Sequence, residues 1–180
     1  MSYGVVRTDN MYGTDVRAGL VSIKYIVTTG SGTTESPYVY TETAIENGRV
    51  LKVGDLMDGE REIHAGSDVA ANDSLDDIVL IASPEVMYDE RKHNLDEFIN
   101  EAGKPCRGYR LHKWDIFSVT KDALDGAATP AVGDIVELKA GTKLNVAAAG
   151  TGATSGSTVV GKIIAVDVVG RYTYYAILVG

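Results

Sequence analysis

The sequence predicts a mainly β (α+β) protein, a compact β-barrel or sandwich with one packed helix and an extended N-terminal arm. Three observations lead there. The last quarter of the chain holds two long apolar runs, Val159 to Val169 and Tyr172 to Val179, around Gly170-Arg171. Gly at the first of two turn positions fits a type II′ hairpin. Short apolar or alternating runs bounded by Gly, Asp and Asn recur along the chain, and only one segment carries helical periodicity. Ten Tyr against two Phe and one Trp suit half-buried strand faces, where one end of the ring stays wet.

In chain order, residues 1 to about 20 show neither helical nor sustained alternating periodicity. Gly4, Gly13 and Gly19 punctuate them, with Tyr3 and Tyr12 between and Arg7 and Arg17 as cations. The two readings are a frayed terminus and an extended arm that orders on a partner, with Tyr3, Arg7, Tyr12 and Arg17 as its contact residues. Leu20 to Thr28 follows as a strand. Gly30 to Ser36 is a flexible break and the best boundary in the chain, giving an arm-and-strand unit over 1–36 and a β-rich core over 37–180. Asn47-Gly48, between Tyr38 to Ile45 and Arg49 to Val53, has the residues of a hairpin turn. Ile78 to Ala82 is a short continuous apolar run, the pattern of a strand buried on both faces.

The helix is expected over about 94–102. Asn94-Leu95-Asp96-Glu97 has the spacing of a capping box, Leu95, Phe98, Ile99 and Ala102 share one face, and Gly103 and Pro105 stop it. Trp114 to Val119 and Ile135 to Lys139 are further strands, and Ala147 to Thr158 reads as a mobile small-residue loop. In the C-terminal hairpin (159–179), the type II′ register pairs Val168 with Thr173, Val166 with Tyr175 and Ile164 with Ile177. Both faces are largely apolar, so these strands are expected to be central. The entry Val132-Gly133-Asp134-Ile135 echoes Val53-Gly54-Asp55-Leu56, and Lys113-Trp114-Asp115-Ile116 has Trp where the others have Gly. One turn chemistry reused to start strands accounts for the echo, with Gly133 at positive φ or in a bulge.

Composition narrows the functions. With 180 residues and 44% hydrophobic content, the chain can bury a core without metal or disulfide staples. A net charge of −8 and the lack of a basic stripe disfavour nucleic-acid binding. The longest apolar stretch, interrupted by Lys162 and Asp167, is too short to span a bilayer, and no run resembles a signal peptide. A soluble protein without a targeting segment is expected. The single Cys106 excludes an intrachain disulfide.

The chemistry-bearing residues point to no reaction. Gly156 to Ile163 falls one residue short of a P-loop, lacks the Mg²⁺-holding hydroxyl, and leads into a strand where a helix must start. Cys106 and His112 are close only along the chain, and a nucleophile also needs a lowered pKa and an oriented base. Asp89 and His93 could offer two metal ligands where three or four are required. Adjacent carboxylates (Asp76-Asp77, Asp89-Glu90, Asp96-Glu97) read as solvated charge and caps, since glycoside hydrolysis needs two carboxyls across a cleft. No catalytic residue, cofactor or metal is expected.

The stretch IASPEVMYDERKHNLDEFINEAGKPCRGYRLHKWDIFSV (81–119), with Val132 to Lys139 and the closing VVGKIIAVDVVGRYTYYAILV, resembles the small β-rich proteins that decorate or cement the heads of tailed bacteriophages. The resemblance covers about residues 40–180. It implies a virion structural protein without enzymatic activity, bound to the major capsid protein on the outer surface of the capsid and made in the bacterial host cytoplasm. It also implies self-association, commonly as a trimer, and an extended terminal arm on the capsid lattice. The competing expectation is a carbohydrate- or receptor-binding β module of a virion, with Tyr residues clustered on one exposed face. A hydrolase using scattered carboxylates is a third.

Overall fold

The computed structural model describes residues 3–7, 19–89, 91, 92 and 94–180. It is built from twelve strands: β1 Leu20–Thr29, β2 Val39–Glu42, β3 Val50–Leu56, β4 Ile63–Ser67, β5 Ile78–Ile81, β6 Cys106–Arg110, β7 Ile116–Thr120, β8 Leu124–Gly126, β9 Ile135–Glu137, β10 Leu144–Ala147, β11 Val159–Val169 and β12 Tyr172–Val179.

The first half closes on itself. β1 pairs parallel with β4 and antiparallel with β6, so the order β1-β4-β3-β5-β6 returns to β1 as a five-stranded barrel. Inward side chains alternate along each strand: Val21 and Ile23, Leu51, Val79 and Ile81, and Cys106 fill the interior. So narrow a barrel has no room for a side chain at every inward position. A Cβ on Gly66 would lie 2.8 Å from the Ile23 side chain, and one on Gly108 would lie 2.7 Å from Val79.

The second half is a six-stranded sheet in the order β7-β12-β11-β9-β10-β8. Its inner face (Phe117, Val119, Val136, Leu138, Val160, Ile163, Tyr175, Ile177) packs on the outside of the barrel wall at Val50, Ile78 and Leu80. β5 therefore serves both cores. Ile78 and Leu80 face the sheet, while Val79 and Ile81 face the barrel interior. All four are fully buried, as the continuous apolar run predicts.

The N-terminal arm is corrected where the structure describes it. Val5 and Val6 are 1% and 2% exposed, and Val6 pairs antiparallel with Val119 on the outer edge of β7. Val5 N–H binds Thr120 Oγ1 at 3.1 Å, and Arg7 N–H donates to the Ser118 carbonyl at 2.8 Å. Residues 3–7 extend the second sheet because β7 offers an open ladder and two valines have an apolar seat. Nor does β1 belong to an arm, since it forms part of the barrel wall.

The helix over 94–102 is also absent. Only a single 3-10 turn, Leu95–Glu97, forms within the capping box of Asn94 and Glu97. The chain is extended again at Phe98 (φ −79°, ψ 137°), and Asn100 bridges to Ile45 with two backbone bonds of 2.9 Å. Tertiary hydrogen bonding outweighs a four-residue apolar pattern.

Asn47-Gly48 is a turn but not a hairpin turn, because β2 pairs with β1, and β3 pairs with β4 and β5. The turn is buried between the two halves. Asn47, 1% exposed, donates to the Ser83 carbonyl at 2.8 Å and accepts from Ser83 N–H at 3.0 Å and from Asn100 Nδ2 at 3.1 Å. Gly30 to Ser36, expected as a break between units, is instead the loop of a hairpin formed by β1 and β2.

The C-terminal hairpin keeps the expected register near its turn: Gly170 has φ +61°, and Val168 faces Thr173, Asp167 faces Tyr174 and Val166 faces Tyr175. A bulge at Ile164 then shifts the ladder, so that Ile163, not Ile164, lies opposite Ile177. The loop over 148–158 is pinned by buried acids. Glu137 accepts from Thr154 N–H (2.7 Å), Thr154 Oγ1 (2.5 Å) and Asn145 Nδ2 (2.7 Å), and Asp134 accepts from Ala149 N–H (3.0 Å).

Candidate interaction surfaces

The residues expected to carry contacts divide in two. Tyr3 and Arg7 are described and engaged within the chain: Tyr3 N–H donates to the Asp96 carbonyl at 3.2 Å, and Arg7 Nη1 lies 3.8 Å from Asp167 Oδ2. Tyr12 and Arg17 lie outside the described residues. Beside Tyr3, the tip of the C-terminal hairpin docks on the 3-10 turn, where Asp96 accepts from Arg171 and, at 2.9 Å, from Tyr172 Oη. The Arg171 guanidinium sits 5.0 Å from the Tyr172 ring centre. These contacts hold the N-terminal segment, the turn and the hairpin tip together.

A more informative site is the turn His112–Asp115. Asp115 N–H bonds the His112 carbonyl at 3.0 Å, and its carboxylate accepts His112 N–H at 2.9 Å. The turn is locked to β12, because Trp114 N–H donates to the Val179 carbonyl (3.0 Å) and Val179 N–H to the Asp115 carbonyl (2.9 Å). Trp114 consequently sits at φ +78°, the one residue other than Gly at positive φ among those described. Its ring is not buried in compensation. Trp114 is 70% exposed, with Lys113 Nζ 5.3 Å from the ring centre. Left-handed backbone disfavours L side chains by about 1–2 kcal/mol, and such strain, once observed, points to a functional reason for the side chain.

The sequence held half of this signal. The Gly-Asp entry at Gly133-Asp134 builds the same turn, with Gly133 at φ +94°, whereas Gly54-Asp55 lies inside β3 next to a register shift. The matching register of Trp114 with Gly133 was visible, but its exposure depends on the fold around it.

Among the described residues, β2 and the distal part of β11 each have an edge that no strand covers. The hairpin of β1 and β2 leaves the barrel after Tyr25, and every residue from 28 to 42 is exposed. Tyr38 (55%), Val39 and Tyr40 (68%) form its apolar part, the two rings 6.4 Å apart and tilted by 43°. On the second sheet β9 covers β11 only over Val159 to Lys162, leaving Val166, Val168 and Val169 exposed. A groove of 530 Å³ lies between Leu20, Val86, Tyr88, Phe98 and Pro105.

The remaining chemistry-bearing residues do not converge. Cys106 lies inside the barrel, where its thiol donates to the Ile23 carbonyl at 3.1 Å and burial pushes its pKa up to about 12. His112 instead belongs to the exposed turn, its Nδ1 3.6 Å from Asp115. His93 lies outside the described residues, and Asp89 is ion-paired with Arg91 at 2.9 Å. Gly161, in the P-loop-like stretch, allows close strand pairing: a Cβ there would meet the Leu178 carbonyl oxygen at 2.0 Å. No group of three or more potential metal ligands occurs among the described residues.

No family model, curated protein or solved structure matches the chain. The geometry stands by itself: a strained, exposed Trp and, among the described residues, uncovered edges on β2 and β11, presented by a body with two cores.

Proposed function

We propose that this chain is a structural protein of a tailed-bacteriophage virion that binds the outside of the capsid shell through Trp114 and its turn, without catalysis. The observation that carries the reading is Trp114 itself. It is held in a backbone conformation that suits Gly, in a turn that the same chain elsewhere builds with Gly, and it is left in solvent. Trp is the residue most enriched at the energetic centres of protein interfaces, and its large rigid surface loses little entropy on docking. The partner is the major capsid protein, in keeping with the resemblance of residues 81–119 and of the closing strands to head decoration proteins.

Cosedimentation with expanded capsids that lack the protein tests this. The wild-type protein is expected to bind, and Trp114→Gly to bind at least tenfold more weakly while being the more stable protein in solution. Because stability and binding move in opposite directions, damage to the fold cannot mimic the result. Full binding by Trp114→Gly would remove the turn from the interface, and absence of wild-type binding would overturn the capsid reading.

A further inference from the structure

We propose that copies of this chain pair head to tail, the outer edge of β2 in one copy adding antiparallel to the edge of β11 in the next that no described strand covers. The two edges are complementary in their hydrogen bonding. Thr43 N–H bonds the Tyr25 carbonyl at 2.9 Å, so the bonded pairs of the β1–β2 ladder are Val27 with Thr41 and Thr29 with Val39. Bonded and non-bonded pairs alternate in an antiparallel ladder, and Tyr38, Tyr40 and Glu42 therefore turn their backbone polar groups outward. On β11, the two-residue turn makes Val169 and Tyr172 a bonded pair, and Asp167 with Tyr174 the next. Val166 and Val168 are left facing away from β12, where β9 does not reach.

Bringing the free groups together sets the register. With Tyr40 opposite Val166, Tyr38 falls opposite Val168, Thr41 opposite Ala165 and Val39 opposite Asp167. Each exposed Tyr meets an exposed Val, a favoured cross-strand combination, and no like charges face each other. The ends match as well. Lys162 and Arg171 flank the β11 edge, and the antiparallel hairpin brings Glu42 and Glu35 to those same two ends, where Glu42 also holds Lys24 at 3.1 Å and Arg171 also holds Asp96. The acceptor is a second copy because, among the described residues, the chain carries both edges, and they are of similar length. Pairing between copies covers both edges at once, whereas a foreign strand would leave one open to aggregation. Such a heterologous contact closes into a ring or continues as a filament.

This inference rests on reading the chain as an assembling structural protein. It is tested on the isolated protein, so its failure leaves shell binding standing, and failure to bind shells leaves the pairing standing. A chain carrying Tyr40→Cys is mixed with one carrying Val166→Cys under mild oxidation, with Cys106 buried and silent. Disulfide-linked pairs are expected in the mixture and not from either variant alone. Pairs formed by one variant alone, or none in the mixture, would overturn the register. Val168→Pro removes an outward N–H and spares the ladder to β12. It is expected to sediment as a monomer with an unchanged melting temperature, while the wild type shows concentration-dependent larger species. A wild-type protein that stays monomeric at its solubility limit would overturn the proposal.

Discussion

Trp114 occupies in its turn the place that Gly133 occupies in another. Trp114 N–H bonds the Val179 carbonyl, and Val179 N–H returns to Asp115; Gly133 N–H bonds the Ile163 carbonyl, and Ile163 N–H returns to Asp134. Both aspartates accept the first N–H of their turn at 2.9 Å. The backbone is the same and only the side chain at positive φ differs. Trp114→Gly is therefore expected to raise stability by about 1 kcal/mol, and Gly133→Val to lower it by about 2 kcal/mol. A Cβ on Gly133 would find its nearest neighbour, Ala149 Cβ, at 3.9 Å, so that loss comes from the backbone alone. Urea midpoints of the two variants measure both effects. A stabilised Gly133→Val would show that the turn does not constrain φ as described.

Glu137 gives the fold an acid sensitivity of predictable sign. Burial pushes its carboxyl up, but the bonds from Thr154 Oγ1, Thr154 N–H and Asn145 outweigh burial and hold it below the ordinary value of 4.5. A carboxylate depressed in the folded state contributes stability above its unfolded pKa, lost as pH falls through the folded one. Stability should thus decline as pH drops below about 4.5. Glu137→Gln, which sets a donor against Thr154 N–H, should cost about 1–3 kcal/mol at pH 7 and flatten that decline. Proteolysis within residues 148–158 should quicken in the variant, and an unchanged rate would count against the pinning role.

Asn47 is expected to be among the most sensitive polar positions. Its amide satisfies Ser83 N–H and C=O and one Asn100 N–H in a site closed to solvent. Asn47→Ala leaves buried groups unpaired and should cost about 3 kcal/mol, read from chemical denaturation. A loss below half that figure would mean that water replaces the amide.

Cys106 should be silent until the barrel opens. Its thiol is 4% exposed and its pKa is pushed up to about 12, so little thiolate forms at pH 8. Labelling by a disulfide reagent should follow global unfolding, with one thiol released per chain in denaturant. Fast labelling of the native protein would reveal local opening between β1 and β6.

Where local chemistry decides the conformation, the sequence was legible. Ile78 to Ala82 was expected to be buried on both faces and is, Gly170 turns the expected hairpin, and Gly133, expected at positive φ or in a bulge, takes positive φ. The misreadings have one cause. Asn94 to Glu97 does form its capping box, but Asn100, three residues on, finds Ile45 and Asn47, and the helix stops after one turn. Asn47-Gly48 has hairpin residues, yet its amide is taken up by Ser83. Gly30 to Ser36 looks like a linker because nothing local tells a loop joining two paired strands from one joining two bodies. Distant partners decided all three. The candidate site was less legible still: the Trp-for-Gly exchange stands in the chain, but exposure and open edges belong to the assembled sheets.

Because β5 alternates its side chains between the barrel interior and the second sheet, it acts as a party wall. Neither room can be vacated without stripping a face from the other, so the halves should melt in one transition despite their separate sheets. Wear in that wall should be felt on both sides: shaving Val79 or Leu80 would shift the same single midpoint, although the two side chains line different cores.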